Sequence, residues 1–86
     1  MSFIIYSRDN CTYCVQAKNL LSQKGLVFEE MKIGQDISRD DFFLLYQERD
    51  LPIPRTVPQI FFEDESGVTY VGGFDQLKKY LLDKSI

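Results

Sequence analysis

The sequence predicts an α/β domain: a four-stranded mixed sheet carrying three helices, in the order β-α-β-α-β-β-α. Two observations carry this. A short apolar run, Phe3–Ser7, is followed by a helical pattern and then by a β-rich segment. That opening brings two strands together in parallel through a right-handed crossover. Later, two short β-rich runs flank a five-residue stretch ending in glycine, which predicts an antiparallel hairpin.

Each element has its own signal. Phe3–Ser7 is continuously apolar up to its last residue, which suits a strand buried on both faces. Arg8, Asp9 and Asn10 then turn the chain. From Thr12 to Lys24, Cys14, Ala17 and Leu21 fall on one helical face with Leu20 beside them. Gly25 suits the residue just past the helix, and Lys24 sits where the dipole favours a cation. Leu26–Lys32 predicts the second strand.

Ser38, with Asp41 three residues on, approximates a capping box, and Ile37 and Phe42 stand at the staple positions. Phe42, Leu45, Tyr46 and Arg49 continue that helix face, Arg49 through its aliphatic stem. Leu51–Pro58 holds three prolines and predicts irregular chain. Gln59–Phe62 and Val68–Val71 are the hairpin strands, with Glu63–Gly67 as their loop. Gly72 and Gly73 end the sheet. A last amphipathic helix turns Leu77, Tyr80 and Leu81 inward.

An 86-residue chain predicts a single domain over residues 1–86. Its net charge of −3 argues against nucleic acid, for which a basic patch is expected. No apolar run approaches the ~18 residues of a membrane span. The start, MSFIIYSRD, lacks the basic region of a signal peptide, so a cytoplasmic protein is expected. The chain contains no histidine, which excludes Ser–His and Cys–His catalysis within one chain.

The chain has two cysteines, Cys11 and Cys14. Structural zinc wants four Cys or His ligands, and two thiols do not supply them. As a structural bridge the pair closes a minimal loop and constrains little of the unfolded chain. A redox role fits the position. Cys11 stands at the edge of the first predicted helix, where unpaired N–H groups and the dipole favour a thiolate. Cys14 follows one turn later, at a Cα separation on the order of 5 Å, which a disulfide tolerates. Arg8 can add positive charge near Cys11, or stand as a solvated surface charge; Asp9 opposes it. A C-x-x-C beside a strand–helix–strand pattern suggests a thioredoxin-like redox site.

Two further constellations admit both a plain and a functional reading. Thr56-Val57-Pro58 is a turn into a strand; with a cis Pro58, Val57 could instead pair its backbone with an extended ligand. Gly72-Gly73-Phe74-Asp75 is a turn with Asp75 as N-cap. Equally, it offers helix N–H groups to a ligand carboxylate, with Asp75 accepting from an ammonium.

Taken in order, Cys11-Thr12-Tyr13-Cys14, Thr56-Val57-Pro58 and Gly72-Gly73-Phe74-Asp75 resemble the glutaredoxin family of the thioredoxin fold, in its small dithiol form of bacterial and phage type. The resemblance covers nearly the whole chain, including Tyr6 and Arg8. It implies Cys11 as nucleophile and Cys14 as resolving cysteine. It implies a glutathione site made of Arg8, Tyr13, Thr56, Val57, Pro58, Gly73, Phe74 and Asp75, with Pro58 cis and Val57 pairing with the cysteinyl backbone. Gly73, Phe74 and Asp75 would hold the γ-glutamyl end. Thr12 departs from the family's usual proline, Gln76 stands where many members carry a second aspartate, and Leu51–Arg55 lengthens the approach to Pro58. Arg55 could meet a ligand carboxylate or be solvated.

The function so implied is a glutathione-dependent thiol–disulfide oxidoreductase acting on protein disulfides and protein–glutathione mixed disulfides. Glutathione is the co-substrate and no resident metal is expected. The implied partners are glutathione and disulfide-containing or glutathionylated proteins, with ribonucleotide reductase a candidate client. No nucleic acid or membrane partner is expected, and the chain is expected to be a monomer. Three alternatives stay open. One is a thioredoxin-like donor reduced by a flavoenzyme reductase. Another is a dimeric [2Fe–2S] scaffold ligated by Cys11 and glutathione, which Thr12 in place of proline permits. The last is a redox-inert binding domain on the same fold.

Overall fold

The computed structural model describes residues 1–85. Seven elements follow in the expected order: β1 (Ser2–Ser7), α1 (Thr12–Gln23), β2 (Phe28–Lys32), α2 (Arg39–Glu48), β3 (Gln59–Asp64), β4 (Gly67–Gly72) and α3 (Phe74–Asp83). The strands form one mixed sheet ordered β2-β1-β3-β4. β1 runs parallel to β2 and antiparallel to β3, and β4 closes the edge antiparallel to β3.

The apolar run of β1 is explained by its central position. Alternate residues of a strand face opposite sides of its sheet. Phe3 and Ile5 join Ala17, Leu21, Ile60, Leu77 and Leu81 in one buried cluster, so α1 and α3 cover that face. Tyr6 joins Phe42, Tyr46 and Phe61 on the other face, beneath α2. Both faces of β1 are therefore dry, and no polar alternation is needed. Truncating a core residue such as Leu21, which is fully buried, to alanine costs about 2–5 kcal/mol.

Element ends follow local chemistry. Gly25 adopts φ 68°, and its N–H donates to the Ser22 carbonyl at 3.0 Å, the ending its sequence position suggests. Leu26 N–H donates back to Leu21 O at 3.0 Å, so that residue closes the helix, and the strand expected from Leu26 begins at Phe28. Ser38 Oγ accepts from Asp41 N–H at 3.0 Å at the start of α2. Ile37 and Phe42 meet in the second cluster, as a staple requires. Arg49 extends its helix face as expected, its guanidinium lying 5.8 Å from the Phe61 ring centroid.

The hairpin is tighter than the sequence suggests. Pairing continues to Asp64 opposite Gly67, leaving only Glu65 and Ser66 in the loop where Glu63–Gly67 was expected. Asp64 Oδ1 accepts from Ser66 N–H at 2.9 Å, and Gly67 takes φ 127°, a conformation that side chains disfavour. The proline-rich stretch from Leu51 to Pro58 is neither helix nor strand, as expected. Among the described residues no helix is long and apolar enough to cross a membrane.

Candidate active site

The site forms where three segments distant in sequence converge: the start of α1, the loop entering β3, and the start of α3. Cys11 is the N-cap of α1, with extended backbone, and its Sγ accepts from Cys14 N–H at 3.1 Å. The first N–H groups of a helix have no carbonyl one turn back, so a sulfur at this position meets donors and the positive end of the dipole. Cys11 and Cys14 are joined as a disulfide with Cα atoms 5.2 Å apart, matching the separation expected from helix geometry. Their burial differs. Cys14 is buried under the helix and Cys11 is partly open, so an incoming group reaches Cys11 first.

Across from Cys11 lies Val57. Its carbonyl oxygen is 3.7 Å from Cys11 Sγ, and the Val57–Pro58 peptide is cis, as the resemblance implied. Val57 is outside any strand, and among the described residues its N–H donates no hydrogen bond. Pro58 is buried behind it.

Gln59 holds this loop in shape. It is only 4 % exposed and fully engaged. Its amide nitrogen donates to the Thr56 carbonyl at 2.9 Å. Its amide oxygen accepts from Tyr46 Oη at 3.2 Å and from Tyr70 Oη. Gln59 thus fastens the segment before Pro58 to α2 and to β4. Burial and the neighbouring Tyr70 phenol push the Tyr46 phenol far above its ordinary range, so it stays a donor. Sequence reading assigned Gln59 only to a strand. The available signal was a lone amide leading an apolar run directly after Pro58.

A groove of about 280 Å³ runs beside the disulfide, lined by Tyr13, Thr56, Val57, Pro58, Gly73, Phe74, Asp75 and Gln76. Tyr13 is 59 % exposed, and its ring centroid lies 6.0 Å from that of Phe74. The N-cap of α3 is Gly73, not Asp75, which stands in the first turn with its carboxylate 3.5 Å from Lys78 Nζ. Gln76 Oε1 accepts from Gly73 N–H at 3.0 Å. Gly72 has φ 119°, and a Cβ there would come within 2.9 Å of the Gln76 side chain, so glycine is required.

Seven of the eight residues expected to surround a ligand therefore meet in one groove, and Arg8 does not. Arg8 is exposed and faces two other clefts. One contains Cys11 and Cys14; the other lies beyond Thr56 and Val57. Asp9, whose charge opposes a thiolate, is paired with Lys32 Nζ at 3.0 Å. On the wall of the first cleft, burial would raise the Glu30 carboxyl. The Ser7 hydroxyl at 2.7 Å and the Lys18 ammonium at 3.0 Å outweigh it and lower the Glu30 pKa. Among the described residues no group of three or more His, Cys, Asp or Glu side chains could hold a metal ion.

Comparison with known proteins bears on this geometry. The family model described as Glutaredoxin matches residues 3–66. Glutaredoxin 3 of Escherichia coli K12 is 37 % identical, over 92 % of this chain and 82 % of its own. The hybrid peroxiredoxin hyPrx5 of Haemophilus influenzae is also 37 % identical over 92 % of this chain, which spans only 29 % of that longer protein. Among solved structures, a buckwheat glutaredoxin–glutathione complex superposes with a TM-score of 0.71 at 25 % identity, covering 95 % of this chain and 69 % of the other.

Proposed function

Because the chain belongs to the glutaredoxin family and is a thiol–disulfide oxidoreductase, we propose that glutathione is its electron donor and that protein disulfides and protein–glutathione mixed disulfides are its substrates. One observation carries this reading: Val57, whose carbonyl oxygen lies 3.7 Å from the Cys11 sulfur and whose N–H is unpaired among the described residues, lines the groove together with Tyr13, Gly73, Phe74 and Asp75. An extended tripeptide with a central cysteine fits that arrangement. Its backbone pairs with Val57 as a short β-bridge while its sulfur faces Cys11. Its γ-glutamyl carboxylate meets the N-terminal N–H groups of α3, and its ammonium meets Asp75. Buckwheat glutaredoxin forms a complex with glutathione, which supports the analogy.

The chemistry follows from the unequal cysteines. In the reduced protein the Cys14 N–H and the α1 dipole favour the Cys11 thiolate, while the Val57 carbonyl favours the protonated thiol. The thiolate attacks one sulfur of a substrate disulfide and expels the other as a thiolate. With a protein disulfide, Cys14 then attacks Cys11, frees the reduced substrate and leaves the observed bridge. Two glutathione molecules reduce that bridge and depart as glutathione disulfide. With a glutathionylated protein, Cys11 takes the glutathionyl group, and a second glutathione releases it. Ribonucleotide reductase is a candidate protein client.

The deciding experiment is reduction of a small mixed disulfide, with glutathione and glutathione reductase supplying electrons. Steady turnover supports the reading. Turnover with thioredoxin reductase alone would replace glutathione by a flavoenzyme donor. A visible absorption band and dimerisation after anaerobic iron and sulfide reconstitution, without turnover, would favour a cluster scaffold.

A further inference from the structure

Cys14 is only 2 % exposed, yet it lines the cleft of about 570 Å³ formed by the turn after β1, by α1 and by β2. The charged groups on that cleft are Arg8 and Asp9 from the turn, Lys18 from α1, and Glu30 and Lys32 from β2. They form two ion pairs of equal length. Lys32 and Asp9 meet at 3.0 Å at the exposed mouth, where the Asp9 side chain is 75 % exposed. Lys18 and Glu30 also meet at 3.0 Å, but their side chains are only 30 % and 24 % exposed, so water screens this pair less. Lys18 follows Cys14 by four residues on α1. Side chains at that spacing are neighbours, about 5–6 Å apart at Cβ. Glu30 pairs in register with Ile5, and two residues beyond Ile5 the buried Ser7 hydroxyl donates to the carboxylate oxygen that binds Lys18, at 2.7 Å. The carboxylate is therefore anchored from β1 as well as from α1.

We propose that Lys18 and Glu30 are positioning residues for the resolving step and act through the charge of Cys14: the ammonium favours its thiolate, and the anchored carboxylate opposes it. The step needs such control. Only the thiolate of Cys14 attacks, and the chain has no histidine to take its proton. The proton passes to water in the cleft. The Cys14 sulfur then bonds to Cys11, the bond from Cys11 to the substrate sulfur breaks, and its electron pair leaves on the substrate thiolate, which takes up a proton from water. Charges near a buried sulfur act more strongly than exposed ones, and here the two nearly cancel. Removing one therefore acts on Cys14 with the opposite sign from removing the other. The proposal rests on the dithiol reading above, in which Cys14 resolves the intermediate.

The test mixes pre-reduced protein with an excess of an aromatic disulfide whose released thiolate is coloured. A first phase, whose rate rises with reagent concentration, reports attack by Cys11. A second phase, independent of that concentration, reports attack by Cys14. Glu30→Gln should speed the second phase by roughly two- to fivefold near neutral pH and move its pH profile to lower pH. Lys18→Met should slow it by roughly the same factor and move the profile to higher pH. The double variant, which removes both charges, should return towards wild type. A merely structural role predicts a different pattern, since damage to the fold slows both single variants and the double variant most. Shifts of the same sign in the two single variants, or a second phase indifferent to both, would overturn the proposal while leaving the dithiol route in place. A wild-type protein with no second phase would overturn that route and this proposal together.

Discussion

The sulfur of Cys11 lies 3.7 Å from the main-chain oxygen of Val57, a residue 46 positions further along the chain. This contact joins the reactive end of α1 to the open backbone of the Pro58 loop. A chain laid against the Val57 backbone would therefore lie next to Cys11.

The cysteines should separate by function. Cys14→Ser is expected to retain reduction of a glutathionylated substrate within a few-fold, since Cys11 alone carries that exchange. The same variant should lose catalytic reduction of protein disulfides, because no thiol remains to resolve the intermediate. Cys11→Ser should abolish both. Parallel assays of the two substrates check this, and total loss of deglutathionylation in Cys14→Ser contradicts the monothiol route.

Thr12 is the first residue of α1 and is exposed. Proline is well suited to that position but lacks an N–H. Thr12→Pro should keep the fold and shift the thiolate titration or the redox potential of the pair measurably, because it removes one N–H from the positive end of the helix. The readouts are thiolate absorbance against pH and equilibration with a glutathione redox buffer. If neither pKa nor potential moves, residue 12 has no influence on the thiolate.

Gln59→Leu removes the amide that holds the Thr56 carbonyl and leaves the Tyr46 and Tyr70 hydroxyls without their shared acceptor. It should destabilise the protein by about 1–3 kcal/mol. It should also raise the KM for glutathione more than it lowers kcat, since the Val57 backbone loses its anchor. Tyr70→Phe, which leaves Gln59 bonded to Tyr46, should cost less. Urea melts and steady-state kinetics of both variants test this order.

Glu30 supplies a pH signature. Its folded pKa lies below the unfolded one, so folding favours the ionised carboxylate bound by Ser7 and Lys18. That stabilisation is complete above the ordinary value of 4.5 and is lost as pH falls through the lowered folded value. Glu30→Gln should therefore lower Tm at neutral pH, and the gap from wild type should close in acid. A gap independent of pH would mean that the carboxylate contributes packing alone.

Much of this protein was legible from residue patterns because the relevant physics is local. The unbroken apolar run Phe3–Tyr6 required a central strand, and the ends at Gly25 and Ser38 were written in backbone chemistry. The spacing of Cys11 and Cys14 set their Cα separation, and the position of Cys11 at the helix edge set its role as cap. Other features arise only when distant segments meet. The two-residue hairpin depended on how far β3 and β4 could pair. Gln59 looked like a strand residue until Tyr46, Tyr70 and Thr56 surrounded it. Arg8, expected near the Cys11 thiolate, lines the cleft that holds Cys11 and Cys14, and it also lines the cleft that Thr56 and Val57 share. There it meets Arg39 and Arg55, which no local pattern associates with it. Helix caps and strand faces depend on neighbours a few residues away, which the sequence spells out. The charge of a cleft and the anchoring of a loop depend on neighbours tens of residues away, and only packing of the whole chain decides them.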